Sequence, residues 1–164
     1  EKVISENTKV VSFDIFDTLI TRPFLYPKDL FTFLNEDYRK LSSNLGIDFS
    51  KIRVDCEILA RTEAHENKKE EVTLDRIYEI IKEEYNIKEE ILNFLKNKEI
   101  ELELKFCKRR ETAYSIYKLA KYLGKRVICT SDMYLPLDTI EQILNKNGFN
   151  NIDKIYLSCE VMKT

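Results

Sequence analysis

Three short apolar runs interrupt the mostly charged pattern of the chain and predict buried β-strands. They cover residues 10–13 (VVSF), 126–130 (RVICT) and 154–157 (KIYL). Each run is rich in β-branched or aromatic residues and is followed at once by polar ones, which favours a buried strand that ends abruptly. The first run ends at Asp14, so that a carboxylate directly follows a hydrophobic strand.

The segment between the second and third runs has apolar residues at helical spacing. Pro136 precedes it as a helix starter, and Gly148 follows it as a stop signal. The apolar positions are Leu137, Ile140, Ile143 and Leu144. This pattern predicts a β-α-β unit, in which the two strands run parallel and are joined by a right-handed crossover.

The chain between the first and second strands is predicted to be helical, because it is rich in Glu and Lys and has almost no Gly or Pro. Thr73 is expected to cap one of its helices, whose apolar stripe includes Leu74, Ile77 and Ile81. The other predicted helices span residues 28–44, 50–67, 88 to beyond 106, and 112–123.

The chain is therefore predicted to be an α/β protein with a Rossmann-like parallel sheet and a helical insertion. The core would comprise residues 1–23 and 111–164, and the all-helical insertion residues 24–110. Ligands of open parallel sheets bind outside the carboxyl ends of the strands. An insertion that begins at the end of the first strand would cover that crevice.

Composition narrows the classes of function. The chain of 164 residues is 43% hydrophobic and 34% charged, with a net charge of −2, so it has no basic surface for nucleic acid. It has no apolar run of the roughly 20 residues that a membrane span needs and no signal-peptide pattern, so the cytoplasm is the expected location. The cysteines form no CxxC pair and are expected to be reduced and buried: Cys56, Cys107, Cys129 and Cys159.

Polar side chains follow all three predicted strands. Because the carboxyl ends of parallel strands meet at one edge of a sheet, these side chains are expected to converge there. A carboxylate, hydroxyl groups and an ammonium group at one edge suit covalent transfer of an anionic group, helped by a divalent cation. The residues are Asp14, Asp17 and Thr18 after the first strand, Thr130, Ser131 and Asp132 after the second, and Ser158, Glu160 and Lys163 after the third.

These motifs resemble those of the haloacid dehalogenase-like (HAD) hydrolase superfamily. The segment FDIFDTL resembles motif I, VICTSD resembles motif II with Ser131 as its functional residue, and Lys163 lies where motif III has its lysine. The helical insertion lies where this superfamily carries its C1 cap. FDIFDTLITRP together with TSDMYLP looks closest to HAD-like domains that are associated with bacterial polysaccharide biosynthesis and glycosyltransferases.

The resemblance implies roles for individual residues. Asp14 would be the nucleophile that forms an aspartyl-phosphate, and Mg²⁺ would be bound by the Asp14 carboxylate and the main-chain carbonyl of Phe16. Ser131 and Lys163 would hold the phosphoryl oxygens. Without a functional role, Asp14 would be a polar residue that ends a strand in a turn. Thr18 and Asp132 are the further candidates for substrate binding.

The chain departs from the pattern of the phosphatase members at Phe16. Those members carry a second aspartate two positions after the nucleophile, as general acid and base. Asp17 comes one residue later, and a shift of one residue at a strand end turns a side chain to the other face. Asp17 is therefore a candidate for catalysis, with a supporting or capping role as the alternative. Leaving groups that need no protonation would be favoured.

A second departure is that the sequence stops before motif IV, an acidic pair at the end of a fourth strand in this superfamily. The core is expected to be incomplete, with three strands. Either a longer protein has been truncated or the domain is degenerate, and the start at Glu1 and the end soon after Lys163 favour truncation. A glycosyltransferase domain in a longer chain is then a candidate partner.

Charged residues recur every fourth position in the predicted helix at residues 50–67. They form either a ladder of ion pairs in solvent or a cationic stripe in which Arg53 and Arg61 bind substrate phosphate or carboxylate. The full set is Arg53, Glu57, Arg61 and His65. His65 is expected to be a surface residue. Residues 108–110 are basic and are either surface charge or part of an anion funnel.

The sequence predicts a Mg²⁺-dependent hydrolase that acts on a small phosphorylated metabolite. A sugar or nucleotide-sugar derivative as substrate follows from the resemblance alone. The alternative is a catalytically weakened HAD-like domain that binds or regulates within a larger polysaccharide-biosynthesis protein. A metal-independent dehalogenase would suit Phe16 but not the closest resemblance.

Overall fold

The structure, a computed structural model, describes residues 2–42, 46–66 and 72–161. Its elements, in chain order, are β1 (Val10–Asp14), β2 (Ile20–Thr21), α1 (Thr32–Leu41), α2 (Phe49–Glu66), α3 (Leu74–Tyr85), α4 (Glu89–Phe106), β3 (Lys108–Arg109), α5 (Glu111–Tyr122), β4 (Arg126–Ser131), α6 (Leu137–Lys146), β5 (Lys154–Leu157) and the short α7 (Ser158–Val161). Short 3-10 turns at Lys2–Ile4 and Pro27–Phe31 complete them.

The main sheet has three parallel strands in the order β1-β4-β5, so the protein is of the α/β class. Its register places Asp14 beside Thr130, and Ser131 beside Leu157. The predicted parallel pairing of β4 and β5 across α6 is confirmed. The carboxyl ends of β1 and β4 consequently lie next to each other.

The chain forms two compact units. The α/β unit comprises the described parts of Glu1–Pro23, Cys107–Met133 and Leu137–Thr164, and the helical unit comprises Phe24–Phe106 and Tyr134–Pro136. The helical unit begins at the predicted boundary, but the chain returns to the α/β unit at Cys107 instead of after residue 110. A short segment beyond β4, Tyr134–Pro136, also belongs to the helical unit, which the sequence pattern did not predict.

The early return has a structural cause. Lys108–Arg109 forms β3, which pairs antiparallel with Ile20–Thr21 of β2 in a small ribbon inside the α/β unit. Helix α4 therefore ends at Phe106, and its predicted continuation beyond that residue is wrong. Helix α1 also begins later than predicted, because Pro27–Phe31 forms a 3-10 turn before it.

One side of the sheet forms the core of the α/β unit. In β4, Val127 and Cys129 are fully buried, whereas the alternate residues Arg126 and Thr130 are exposed. Helix α6 contributes Ile140 and Ile143, which are also fully buried, to this core. The alternating burial fixes the register, because a slip by one residue would turn the apolar set of β4 to the other face.

The helical unit is built from α1 to α4 around aromatic and aliphatic side chains. Thr73 caps α3 as predicted, since its side-chain oxygen accepts from the main-chain amide of Arg76. The rings of Tyr38 and Phe49 stack with centroids 5.3 Å apart. None of the four cysteines forms a disulfide within the described residues; Cys56, Cys107 and Cys129 are buried, and Cys159 is half-buried.

Asn147 holds the returning chain against the end of α6. Its Oδ1 accepts from the Arg109 amide at 2.9 Å, and its Nδ2 donates to the carbonyls of Cys107 at 3.2 Å and Ile143 at 2.8 Å. The residue is 9% exposed, so water has little access to these groups. A leucine here would remove these three hydrogen bonds and leave the Arg109 amide without the side-chain acceptor that it has in this structure.

We expect Asn147→Leu to lower the free energy of unfolding by about 1–3 kcal/mol, the cost of buried polar groups that lose their partners. Urea denaturation followed by circular dichroism measures this change. The exposed Asn145 offers a matched control, and Asn145→Leu should change stability by less than about 0.5 kcal/mol. Equal losses in the two variants would contradict the assigned role of Asn147.

Candidate functional site

A tight turn follows β1 and fixes the position of Asp14. The carbonyl of Ile15 accepts hydrogen bonds from the amides of Leu19 and Ile20, both at 2.9 Å. These three side chains are fully buried and anchor the turn in the core. Asp17 completes the turn with a left-handed φ of 59°, a conformation that Asp and Asn tolerate better than most residues. The strand thus ends in a rigid loop.

Asp14 is exposed at the end of β1, and its carboxylate is oriented by a neighbour in the same turn. The Thr18 hydroxyl donates to Oδ2 of Asp14 at 2.7 Å. Among the described residues, Oδ1 accepts no hydrogen bond. The hydrogen bond from Thr18 therefore holds one carboxylate oxygen and, through it, sets the direction of the other.

The end of β4 places a hydroxyl group at the same edge. Ser131 is 7% exposed, and its Oγ accepts from the amide of Met133 at 3.3 Å. The main-chain carbonyl of Ser131 accepts from the Ser158 hydroxyl at 3.2 Å, which ties the end of β4 to that of β5. The register thus places Asp14, Ser131 and Ser158 at neighbouring strand ends, whereas convergence of their side chains on one ligand stays a prediction.

The negative charge of Asp14 affects the pKa of a cysteine in the neighbouring strand. Burial raises the pKa of the Cys129 thiol to about 12, and the negative charge of Asp14 adds to that rise. Cys129 lies beside Phe13 in the register, next to the residue pair Asp14 and Thr130. The Asp14 carboxylate therefore disfavours the thiolate form of Cys129, which stays a neutral thiol at physiological pH.

Phe16 places a hydrocarbon ring where the resemblance would require an acid. The ring is half-buried, and the guanidinium carbon of Arg22 lies 4.5 Å from its centroid. Such a stack is a cation–π contact, which holds the ring and the cation together. Asp17, the next residue, is exposed and has a left-handed backbone conformation. Among the described contacts, none joins its carboxylate to Asp14.

The donors at this edge suit a hard cation that keeps much of its water. The resemblance names the Asp14 carboxylate and the Phe16 carbonyl as metal ligands, and Mg²⁺ is commonly bound by one or two carboxylates together with waters and substrate phosphates. Within the described residues, no group of three or more His, Cys, Asp or Glu side chains could hold a metal by itself. Any Mg²⁺ bound at this edge would therefore need water and substrate oxygens among its ligands.

Three of the polar residues predicted at this edge have no described contact with the others. Lys163 lies outside the described residues, and so does the side chain of Glu160. Asp132 is exposed immediately after β4, but it has no described contact with the other candidates. Its role in binding a substrate stays a prediction.

Arg53 lies neither in a solvent-exposed ladder nor on an accessible cationic stripe, the two predicted placements. Its side chain is fully buried in the helical unit, where Nε and Nη2 donate to the two carboxylate oxygens of Glu99 at 2.9 and 2.7 Å. Nη1 donates to Glu57 at 3.0 Å. All three guanidinium nitrogens are thereby engaged with carboxylates of the same unit, so Arg53 is a structural residue and does not meet a substrate.

The other basic candidates are more accessible. Arg61 is 46% exposed and pairs with Glu57, at 3.0 Å, so that the Arg53–Glu57–Arg61 series is a ladder whose first member is buried. His65 is exposed, as expected. Arg109 pairs with Glu111 at 2.7 Å and its guanidinium carbon lies 4.1 Å from the ring of Tyr114. Substrate binding by Arg61 stays a prediction.

Sequence reasoning missed the segment after Asp132. Tyr134 and Leu135 are 6% and 0% exposed, although they follow a polar strand end and precede a helix starter. The signal was present in the sequence as an aromatic and an aliphatic residue between Asp132 and Pro136, where a loop residue is normally polar.

No known family model matches the chain, and a comparison with curated proteins gives no significant match. The resemblance to HAD hydrolases therefore rests on the motif residues themselves and on the edge of the sheet at which they lie. Within the described part of the chain, no helix combines the length and apolarity that crossing a bilayer requires.

Proposed function

We propose that this protein is an HAD-like hydrolase that removes a phosphoryl group from a small phosphorylated metabolite through an aspartyl-phosphate on Asp14. The observation that carries the proposal is the exposed carboxylate at the end of β1, oriented by Thr18 and flanked in the sheet by the end of β4. A sugar or nucleotide-sugar phosphate is the substrate class that the motif resemblance favours.

The chemistry divides into two displacements at phosphorus. In the first, Oδ1 of Asp14 attacks the phosphorus atom, the bond to the leaving oxygen breaks, and that oxygen departs with the electron pair. In the second, water attacks the same phosphorus, its proton is lost to solvent, and inorganic phosphate leaves while the Asp14 carboxylate is restored. Thr18 holds Oδ2 during both steps and so keeps the attacking oxygen directed at the substrate.

Ser131 is suited to bind a phosphoryl oxygen. Because its Oγ accepts from the Met133 amide, its own proton remains available to donate to an anion. A fixed donor of this kind stabilises the charge that develops in the transition state. A bound Mg²⁺, held by Asp14 and the carbonyl of Phe16, would supply positive charge that offsets the repulsion between carboxylate and phosphate. Lys163 is proposed as a second cationic partner of the phosphoryl oxygens.

Phe16 determines which leaving groups can depart. General acid catalysis contributes roughly 10²–10⁴-fold in rate, and a phenyl ring cannot supply a proton. The substrates hydrolysed well should therefore carry leaving groups that are stable as anions, such as aryl oxides, carboxylates or phosphates. Alkyl phosphates would be turned over slowly.

We expect phosphate release from para-nitrophenyl phosphate to exceed release from an alkyl sugar phosphate by about 10²–10⁴-fold under saturating Mg²⁺. Chelation by EDTA should stop both reactions. In Phe16→Asp, which restores an acid at that position, the ratio between the two substrates should shrink. An unchanged ratio in that variant would show that the missing acid does not set the preference.

The alternative function, a HAD-like domain that binds or regulates without turnover, is supported by the same residue, since Phe16 stands at the sequence position of the acid and its ring stacks against Arg22. Such a domain would show no phosphate release above a reaction without protein, with either substrate and with Mg²⁺ present. Membership in a larger polysaccharide-biosynthesis protein, next to a glycosyltransferase domain, remains part of this proposal.

A further inference from the structure

The two faces of the β1-β4-β5 sheet differ in exposure. The face toward α6 carries buried side chains, among them Phe13, Cys129 and Leu157. Successive side chains of a strand alternate between its two sides, so the residues between these point to the opposite face. We term this side the open face. Its exposed residues include Ser12 and Asp14 in β1, Thr130 in β4, and Lys154 and Tyr156 in β5.

The strand register places three of these residues in one row across the sheet. Asp14 pairs with Thr130, and Thr130 pairs with Tyr156. Neighbouring strands lie about 4.8 Å apart, so the main chain of Tyr156 is roughly 10 Å from that of Asp14. Thr130 is thus the direct neighbour of the candidate nucleophile on the open face, and Tyr156 is the next residue beyond it. All three belong to the α/β unit.

Tyr156 presents an aromatic surface next to a cation. The residue is 38% exposed, and the ammonium nitrogen of Lys154 lies 4.8 Å from its ring centroid. Lys154 comes two residues earlier in β5 and therefore points to the same face, which agrees with this contact. Within the described part of the chain, Lys154 forms no ion pair. Its charge is consequently available to an anionic ligand on the open face.

These side chains suit a ligand with a phosphoryl group at one end and a flat ring at the other. An exposed tyrosine ring binds a nucleobase by stacking, and it accepts any base because every base has a π-face. The Thr130 hydroxyl and the Lys154 ammonium can both donate to phosphate oxygens. A nucleoside diphosphate combines a terminal phosphoryl group, a second phosphate and a base in that order.

We infer that Thr130, Lys154 and Tyr156 form the subsite for the leaving group, and that this leaving group is a nucleoside monophosphate. The inference rests on the proposed function for the role of Asp14. Asp14 attacks the terminal phosphorus of a nucleoside diphosphate, the anhydride P–O bond breaks, and the nucleoside monophosphate departs with the electron pair. This anion needs no proton from a general acid, which agrees with Phe16 at the position of the acid.

Binding of α,β-methylene-ADP tests the subsite without turnover, because its bridging carbon prevents loss of the terminal phosphoryl group. Isothermal titration calorimetry in the presence of Mg²⁺ gives the Kd. It should rise about 5- to 100-fold in Tyr156→Leu, the effect of losing one stacked base, and change less than about twofold in Tyr156→Phe. Methylenediphosphonate, which lacks the nucleoside, should bind the unmodified protein and Tyr156→Leu equally.

The α/β unit offers matched controls for both side chains. Tyr122 in α5 is a tyrosine with 87% exposure outside the sheet, and Lys118 lies 5.9 Å from the ring centroid of Tyr114. Lys154→Gln should weaken binding of both ligands about 2- to 5-fold, as expected for an exposed ion pair. Tyr122→Leu and Lys118→Gln should leave both Kd values unchanged.

Turnover gives a second readout. The kcat/KM for ADP should exceed that for inorganic pyrophosphate by about 5- to 100-fold, and the advantage should disappear in Tyr156→Leu. An advantage of ADP that persists in this variant would show that the nucleoside binds elsewhere and would overturn the inference.

The two readouts separate the subsite from the reaction. Binding of α,β-methylene-ADP that is unaffected by Tyr156→Leu, or no saturable binding at millimolar ligand, would overturn the inference even if para-nitrophenyl phosphate is hydrolysed through Asp14. Binding that depends on Tyr156 without phosphate release from ADP would support the nucleotide subsite and contradict the proposed hydrolysis.

Discussion

Asp14→Asn should reduce Mg²⁺-dependent phosphate release by at least about 10³-fold, because an amide is no nucleophile and loss of the attacking group removes the covalent route. The amide oxygen can still accept the hydrogen bond from Thr18, and the side chain is exposed, so the fold is expected to persist. Initial rates of phosphate release from para-nitrophenyl phosphate, with the thermal unfolding midpoint measured in parallel, check this expectation.

The chain offers a matched control for that experiment. Asp138 is an exposed carboxylate in the first turn of α6, within the same unit, and no role in the reaction is assigned to it. Asp138→Asn should leave the rate unchanged. A rate for Asp14→Asn within a few-fold of the unmodified protein would show that phosphate release does not pass through this carboxylate.

The second large effect is expected in the helical unit, at Glu99. Its carboxylate is fully buried and meets two nitrogens of Arg53 and the hydroxyl of Tyr78. Burial is the largest single influence and acts to lower the pKa of Arg53, but the charge and hydrogen bonds of Glu99, together with the neighbouring Tyr134 and Tyr78, outweigh it, so that the pKa of Arg53 is raised well above its ordinary value. Arg53 is therefore charged throughout the accessible pH range and depends on Glu99 for compensation.

Glu99→Leu should destabilise the helical unit by about 3–5 kcal/mol, because it leaves the buried guanidinium without its main counter-ion. The double variant Arg53→Met/Glu99→Leu should recover most of that loss, since removal of both charges also removes the cost of burying them. Urea denaturation of the single and double variants gives the comparison. Equal stability of the two would show that the ion pair does not govern the packing of this unit.

The local elements of the fold were predictable from short-range pattern. Strand β5 spans the residues expected, and β1 and β4 each extend one residue beyond the predicted end. The Thr73 cap and the parallel β4–β5 pairing also follow from signals that lie within a few residues of each element. Apolar runs, caps and stop residues act locally, so a single sequence contains them.

Features that depend on distant partners were not predictable. Glu99, the partner that buries Arg53, lies 46 residues further along the chain, and the periodicity of α2 alone placed Arg53 in a charged surface series. The two-residue strands β2 and β3 are too short to show a pattern, although their pairing shortens α4. The burial of Tyr134 and Leu135 was not predicted for a related reason, because Tyr134 contacts Arg53 of α2 and Leu74 of α3, which lie far away in the sequence.

The candidate site was predictable from the sequence only in part. The sequence predicted that Asp14 and Ser131 end neighbouring strands, and the register of β1 and β4 agrees with this expectation. The hydrogen bond from Thr18 to Asp14 and the stack of Arg22 on Phe16 could not be derived from spacing, because they depend on the left-handed turn at Asp17.

The most direct test of the central claim is detection of the covalent intermediate on Asp14. The protein would be mixed with excess para-nitrophenyl phosphate and Mg²⁺, quenched in acid within the first turnovers, digested and analysed by mass spectrometry. The account predicts one phosphoryl group on the peptide that carries Asp14, removed by hydroxylamine and lacking in Asp14→Asn. Phosphate release without that modified peptide, or with the phosphoryl group on another residue, would contradict it.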